Sequence, residues 1–259
     1  RELLAQARTI EGPSARDDTL ESLAHAAHRA GAPSLAREAC LAIADPAARA
    51  RTLLSLAALS KEAGDAGAAA KLTDQARAAA ATVRPAAECA RSLSSVARAY
   101  ADLDQEPTAA KVLAQARGAA ARESHRRKAD QAWHNIATAS MKAGRPEEAL
   151  AATQKIQSEI SKVTAVKRIA IGHAAAGRYE KAVEILNSLA QPYTVDLGLS
   201  AIANECANRG DYERVAKIVE GVRGQNVRDS TLASAAGTAA QRGDFARALQ
   251  FAHSITNRP

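Results

Sequence analysis

The sequence predicts an all-α chain, an α-solenoid of antiparallel helix hairpins. Three observations predict it. Alanine recurs in two columns at a fixed stagger. Glycine recurs at the joint between them. The composition is rich in alanine, the strongest helix former, while aromatics make up only 3%.

The first column runs Ala24, Ala57, Ala97, Ala137, Ala170, Ala203 and Ala236. The second follows twelve residues later at Ala36, Ala69, Ala109, Ala149 and Ala182, then Val215, then Ala248. Two antiparallel helices approach closely only where both carry small side chains, so each pair marks a hairpin crossing. One residue before the first alanine stands Leu23, Leu56, Val96, Ile136, Ile169 or Ile202, with Ala235 as the exception. Four before it stands Leu20, Leu53, Leu93, Trp133, Val166, Leu199 or Leu232. Positions three apart share a helix face, so these columns are expected to pack on neighbouring helices.

Gly31, Gly64, Gly144, Gly177, Gly210 and Gly243 stand where the first helix of each pair must end. A left-handed cap is expected there. Asp65, Asp211 and Asp244 follow directly and suit the start of the next helix. The third repeat has Asp102, Asp104 and Pro107 instead, which predicts a looser turn.

Spacing between first-column alanines is 33 residues, except that the second and third repeats run to 40. Seven extra residues are about two helical turns, which lengthens a hairpin and keeps its faces in phase. Helices around 67–101 and 107–142 are therefore expected to protrude. RELLAQARTI resembles KVLAQAR of the third repeat, a second-helix sequence, and the chain closes on another second helix. The reading is a piece of a longer protein, with one lone helix and seven hairpins, fifteen helices in all. It forms a single array over 1–259, with the lone helix at 1–11. Repeats fall at 17–46, 50–83, 86–123, 129–160, 163–191, 196–223 and 229–257.

The residues carrying this pattern resemble the tetratricopeptide repeat, in which a large residue, a small residue, a Gly turn, an aromatic and Ala recur in order. Trp133, Ile136, Ala137, Gly144 and Ala149 follow it. So do Ile169, Ala170, Gly177, Tyr179 and Ala182, then Ile202, Ala203, Gly210 and Tyr212, then Ala236, Gly243, Phe245 and Ala248. The period is one residue short, and the closing Pro is displaced or absent. The resemblance implies a right-handed solenoid and a protein-interaction module whose first helices line a concave groove.

Lys and Arg number 35 against 28 Asp and Glu, a formal charge of +7. That favours acidic partners, or reflects solvated Arg-rich faces. Cys40, Cys89 and Cys206 are odd in number and far apart, which excludes a CxxC motif and reads as three buried thiols in a reducing compartment. No apolar run approaches the roughly 18 residues of a membrane span. A cytoplasmic location is the expectation.

No Walker loop, G-x-S-x-G, H-E-x-x-H or G-x-G-x-x-G occurs. His25 and His28 have chelate spacing but no third ligand nearby in sequence. Glu147 and Glu148 suit a helix start, where the dipole favours them. The expectation is no catalysis, no metal and no cofactor.

If first helices line the groove, the repeat register places Arg91, Arg98, His134, Asn135, Lys167, Arg168 and Asn204 in it, with His25. Some family members hold a peptide carboxylate with Lys, Arg and Asn, but the order here differs and that clamp is not carried over. A groove favouring acidic or phosphorylated segments remains. RESHRRK at 122–128 is the densest basic run, with Arg122, Arg126, Arg127 and Lys128 beside His125. It reads as a solvated hairpin tip, or as a phosphate contact. Few aromatics are present to stack on bases, so nucleic acid ranks third. The leading reading is a scaffold binding a protein or peptide, possibly acidic. The second is a sensor or oligomerisation region of a larger signalling protein.

Overall fold

The computed structural model describes residues 2–189 and 191–255. Of the expected segments, residues 1, 190, 256 and 257 lie outside them.

Fifteen helices and no strands occur among the described residues. A lone helix, α1 (Glu2–Arg8), comes first. Seven hairpins follow, each with a first helix and a second. They are α2 (Pro13–Arg29) with α3 (Pro33–Ala42), α4 (Pro46–Glu62) with α5 (Ala66–Thr82), and α6 (Ala86–Asp102) with α7 (Glu106–Ala120). Next come α8 (Arg126–Lys142) with α9 (Pro146–Thr153) and α10 (Glu159–Ala175) with α11 (Tyr179–Asn187). The last are α12 (Pro192–Arg209) with α13 (Tyr212–Glu220) and α14 (Gln225–Gln241) with α15 (Phe245–His253).

The helices gather into two compact units, Arg1–Ser158 and Glu159–Pro259. In the first, α2, α4, α6 and α8 pack side by side, each covered by its own second helix. In the second, α10, α12 and α14 do the same. Each unit is a stack of antiparallel helical hairpins.

Small residues at the crossings explain the close packing. In the first six hairpins both columns are buried, from Ala24 and Ala36 through Ala203 and Val215. In the last hairpin Ala236 and Ala248 are only half-buried, and Phe245 and Leu249 are exposed. The large columns are buried too, apart from the half-buried Leu23 and Trp133.

The turns follow from backbone geometry. All six predicted glycines adopt positive φ, from 67° at Gly144 to 83° at Gly64. Asp65, Asp211 and Asp244 then cap the next helix, accepting from the N–H of Ala68, Arg214 and Arg247. The third repeat does not have the looser turn its sequence suggested. Asp104 itself takes φ 56°. Asp104 N–H donates to Ala101 O and Gln105 N–H to Tyr100 O, the pattern that Gly64 and Asp65 make with Lys61 and Ser60. A short polar side chain tolerates the left-handed region, so the turn survives without glycine.

The seven extra residues also land differently. The first helices α4, α6 and α8 are 17 residues long, like α2 and α10. The added turns lie in the second helices, 17 residues in α5 and 15 in α7 against 8 to 10 in the others. Phase alone does not say which helix of a hairpin receives two added turns.

A third small column stands five residues before the first alanine, at Thr19, Thr52, Ser92, Ala132, Ala165, Gly198 and Thr231. At Gly198 the fit is tightest. A methyl group there would stand 2.5 Å from Leu186 Cδ2 and 2.8 Å from Cδ1. Leu186 is fully buried and has little room to turn. Alanine normally gains about 1 kcal/mol over glycine inside a helix. Overpacking costs about 1–3 kcal/mol and outweighs that gain. Gly198→Ala is therefore expected to lower the denaturant midpoint of unfolding. A raised midpoint would show that α11 yields freely.

Candidate functional site

Because α6 and α8 pack side by side in the first unit, their exposed faces form the walls of a cleft of about 370 Å³. Its apolar lining comes from Pro85, Ala87 and Ala132. Its rim carries Glu88, Arg91, Lys128, Gln131 and Asn135. Repeat register explains the arrangement. Arg91 and Gln131 both stand six residues before the first alanine of their repeats, so neighbouring first helices present them side by side.

Three residues singled out from sequence meet here. Arg91 and Asn135 were placed in the groove, and Lys128 belonged to the basic run. Arg91 pairs with Glu88 one turn away on α6, with side chains 55% and 31% exposed. An exposed pair of this kind is worth about 0.2–1 kcal/mol, so a ligand carboxylate can replace Glu88 at small cost. Gln131 Nε2 donates to Asn135 Oδ1 at 3.3 Å. That leaves Gln131 Oε1 and the Asn135 NH2 to face a ligand. The rim is thus mixed rather than purely basic.

The other groove candidates do not line this cleft. Arg98 is exposed on α6 and donates to Ser95 Oγ at 3.1 Å. His134 is half-buried on α8. Lys167 and Arg168 lie on α10, and Asn204 on α12, in the second unit. Arg168 is exposed, Lys167 and Asn204 are half-buried, and Asn204 Oδ1 is buried without a partner.

RESHRRK is not a hairpin tip. It is the connection from α7 into α8, with Arg122, Arg126, Arg127 and Lys128 all exposed. Glu123 ties this connection down, accepting from His125 N–H at 2.9 Å and Ala87 N–H at 3.1 Å. The His125 N–H is the main reason its carboxyl is held below the usual carboxylate range. Arg126 donates to Gln157 O at 3.2 Å.

Sequence reasoning missed the device that fixes the repeats in register. Asp17, Asp130, Asp196 and Asp229 stand seven residues before the first alanine and are buried. Each of the first three spans the connection into the next repeat. Asp17 accepts from Ala44 and Asp45 N–H at 2.8 and 2.9 Å. Asp130 accepts from Gln157 and Ser158 at 2.7 and 2.9 Å. Asp196 accepts from Arg223 and Gly224 at 3.0 and 2.8 Å. From the other side, Arg49 donates to Ile43 O at 2.8 Å and Arg228 to Val222 O at 3.0 Å. The connections are therefore held through their backbone groups. A second tie crosses hairpins, where Arg117 on α7 and Arg145 both pair with Glu148 on α9. Burial opposes ionisation of Glu148, but Arg145 and Arg117 together hold its carboxyl below the usual range.

Cys40, Cys89 and Cys206 are buried and unpaired. Burial, aided by Glu21, pushes the Cys40 thiol up to about 12. Burial, aided by Asp211, pushes Cys206 up to about 11. Burial also raises Cys89. A thiol of this kind is protonated at neutral pH and is a poor nucleophile. Among the described residues no cluster of three or more His, Cys, Asp or Glu side chains is placed to hold a metal ion. No described helix is long and apolar enough to cross a membrane.

No protein-family model matches the chain, and no curated protein does. Solved structures similar to it include TPR-like repeat proteins. One from Podosopora anserina, described as a kinesin light chain with nearly identical TPR-like repeats, is 22% identical. That match covers 72% of this chain and 97% of the other, with a TM-score of 0.42. A Rap protein complexed with Competence and Sporulation Factor is 14% identical over 99% of this chain and 78% of the other, with a TM-score of 0.40. The signal transduction ATPase PH0952 from Pyrococcus horikoshii, which has a tetratricopeptide repeat sensor, is 14% identical. It matches over 96% of this chain and 42% of the other, with a TM-score of 0.41. The fold assignment rests on the repeat geometry itself rather than on these likenesses.

Proposed function

We propose that the chain is a non-catalytic interaction scaffold that docks an acidic peptide or protein segment in the cleft between α6 and α8. The observation that carries this reading is the cleft's composition. Apolar Pro85, Ala87 and Ala132 line it together with two cations, Arg91 and Lys128, and two carboxamides, Gln131 and Asn135, against one acid, Glu88. Its 370 Å³ falls within the roughly 300–1,000 Å³ of ordinary ligand sites. An apolar side chain packs on the apolar lining, the carboxamides engage extended backbone, and the cations take an acidic side chain. Arg122, Arg126 and Arg127 add positive potential on the same connection and steer acidic partners inward. Arg98 and His134 extend the face along α6 and α8. Lys167, Arg168 and Asn204 serve an equivalent first-helix face in the second unit.

The test is an array of twelve-residue peptides, acidic, neutral and basic, probed with the chain and with Arg91→Glu/Lys128→Glu. Acidic peptides with an apolar residue are expected to dominate. The variant should lose roughly tenfold or more in affinity for them. Equal binding across the three charge classes, or equal binding by the variant, would remove this reading.

A further inference from the structure

A separate cleft lies on the second-helix side of the first unit, between α3 and α5, with the ends of α2 and α4 behind it. It measures about 180 Å³. That is below the roughly 300–1,000 Å³ of sites for drug-sized molecules, so it fits one small group.

Its lining is cationic and rich in donors. His28, Arg37 and Lys71 come from three different helices, and no carboxylate lines the cleft. None of the three makes an ion pair or side-chain hydrogen bond among the described residues. Ser60 is only 5% exposed, lines the cleft, and its hydroxyl has no hydrogen-bond partner there. Gln75 Oε1 is also buried and unpartnered. A carboxamide turned over presents its NH2 instead. Buried polar groups are ordinarily satisfied, and the open Gln75 oxygen beside three unpaired bases points to a ligand site. Ser34 adds a hydroxyl in the first turn of α3, a helix without a side-chain cap at its start.

We propose that this cleft binds a phosphoryl group. A phosphate carries close to two charges on several tetrahedral oxygens, and it needs donors from several directions. Arg37 meets two oxygens through its fork, Lys71 supplies a point charge, and His28 and Ser60 donate from the remaining sides. A carboxylate is planar and singly charged and would leave part of this set unused. The site is independent of the α6–α8 cleft.

Calorimetric titration tests it with three probes, inorganic phosphate, a phosphoserine hexapeptide and the same peptide unphosphorylated. Saturable binding of a phosphate-bearing probe is expected, with none by the unphosphorylated peptide. Arg37→Gln/Lys71→Gln should weaken it roughly tenfold or more. Both positions are exposed, so this variant should unfold at the same denaturant concentration as the wild type. Ser60→Ala gives a second, charge-neutral check and should weaken binding too. The phosphopeptide binding more tightly than inorganic phosphate would assign the group to a phosphorylated chain. Equal binding would assign it to a free small anion. Absence of saturable binding by either phosphate probe, or equal binding by the double variant, would overturn the proposal.

Discussion

Asp196→Ala is expected to destabilise the chain by roughly 2–4 kcal/mol, since two charge-assisted hydrogen bonds are lost together. Asp196 is 4% exposed, and its two oxygens each accept from a backbone N–H of the α13–α14 connection. Alanine leaves both donors without a partner. Asp196→Asn should cost less, because one oxygen still accepts while the amide nitrogen opposes the other N–H. Gly224 belongs to the same fit, since a methyl group there would stand 3.0 Å from Asp196 Oδ2. Denaturant unfolding checks the order, with wild type most stable, Asn intermediate and Ala lowest. Equal midpoints for all three would show that the clamp contributes nothing. The same argument applies to Asp17 and Asp130, whose bonds reach the same 27 and 28 residues ahead.

Ala137→Leu is expected to cost about 1–3 kcal/mol through overpacking. Ala137 is 1% exposed and Ala149, across the same hairpin, is fully buried. Three added carbons at that crossing must push α8 off α9 or off its neighbour α6. Leucine has good helix propensity, so the loss is a packing effect and not a helix effect. The control is Ala129→Leu, a half-buried position near the start of the same helix, which should change the midpoint little. A smaller loss at Ala137 than at Ala129 would mean that the crossing lies elsewhere.

The hairpins were legible because their signals are short-range and repeated. A small residue at the crossing recurs in nearly every repeat and a glycine at the turn in six of the seven, and physics asks for the same residue type each time. Asp104 shows the limit of that reading. It replaces glycine in the left-handed position, and no other repeat uses Asp there to signal an intact turn. Placement of the added turns was hidden for another reason. Two turns preserve the buried face of either helix, and only packing assigned them to α5 and α7.

The Asp clamp had a visible signal, an aspartate at the same offset in four repeats. Its meaning was not visible, because its partners are backbone groups in the next connection. The candidate cleft was partly legible. Register placed Arg91 and Asn135 on first-helix faces, while Lys128 was grouped with a basic run. Their meeting in one cleft follows from α6 lying against α8. The pairing of Arg91 with Glu88 also had to be seen, and it turns a basic groove into a mixed rim. The phosphoryl-group cleft draws on two repeats and four helices, so no local motif announces it.

Hydrogen exchange with and without the tightest acidic peptide from the array tests the docking claim most directly. Protection is expected to concentrate in 86–102 and 126–142, the two helices that wall the cleft. It should vanish in Arg91→Glu/Lys128→Glu at the same peptide concentration. A bound peptide that protects other helices, and leaves these two unchanged, would contradict the account.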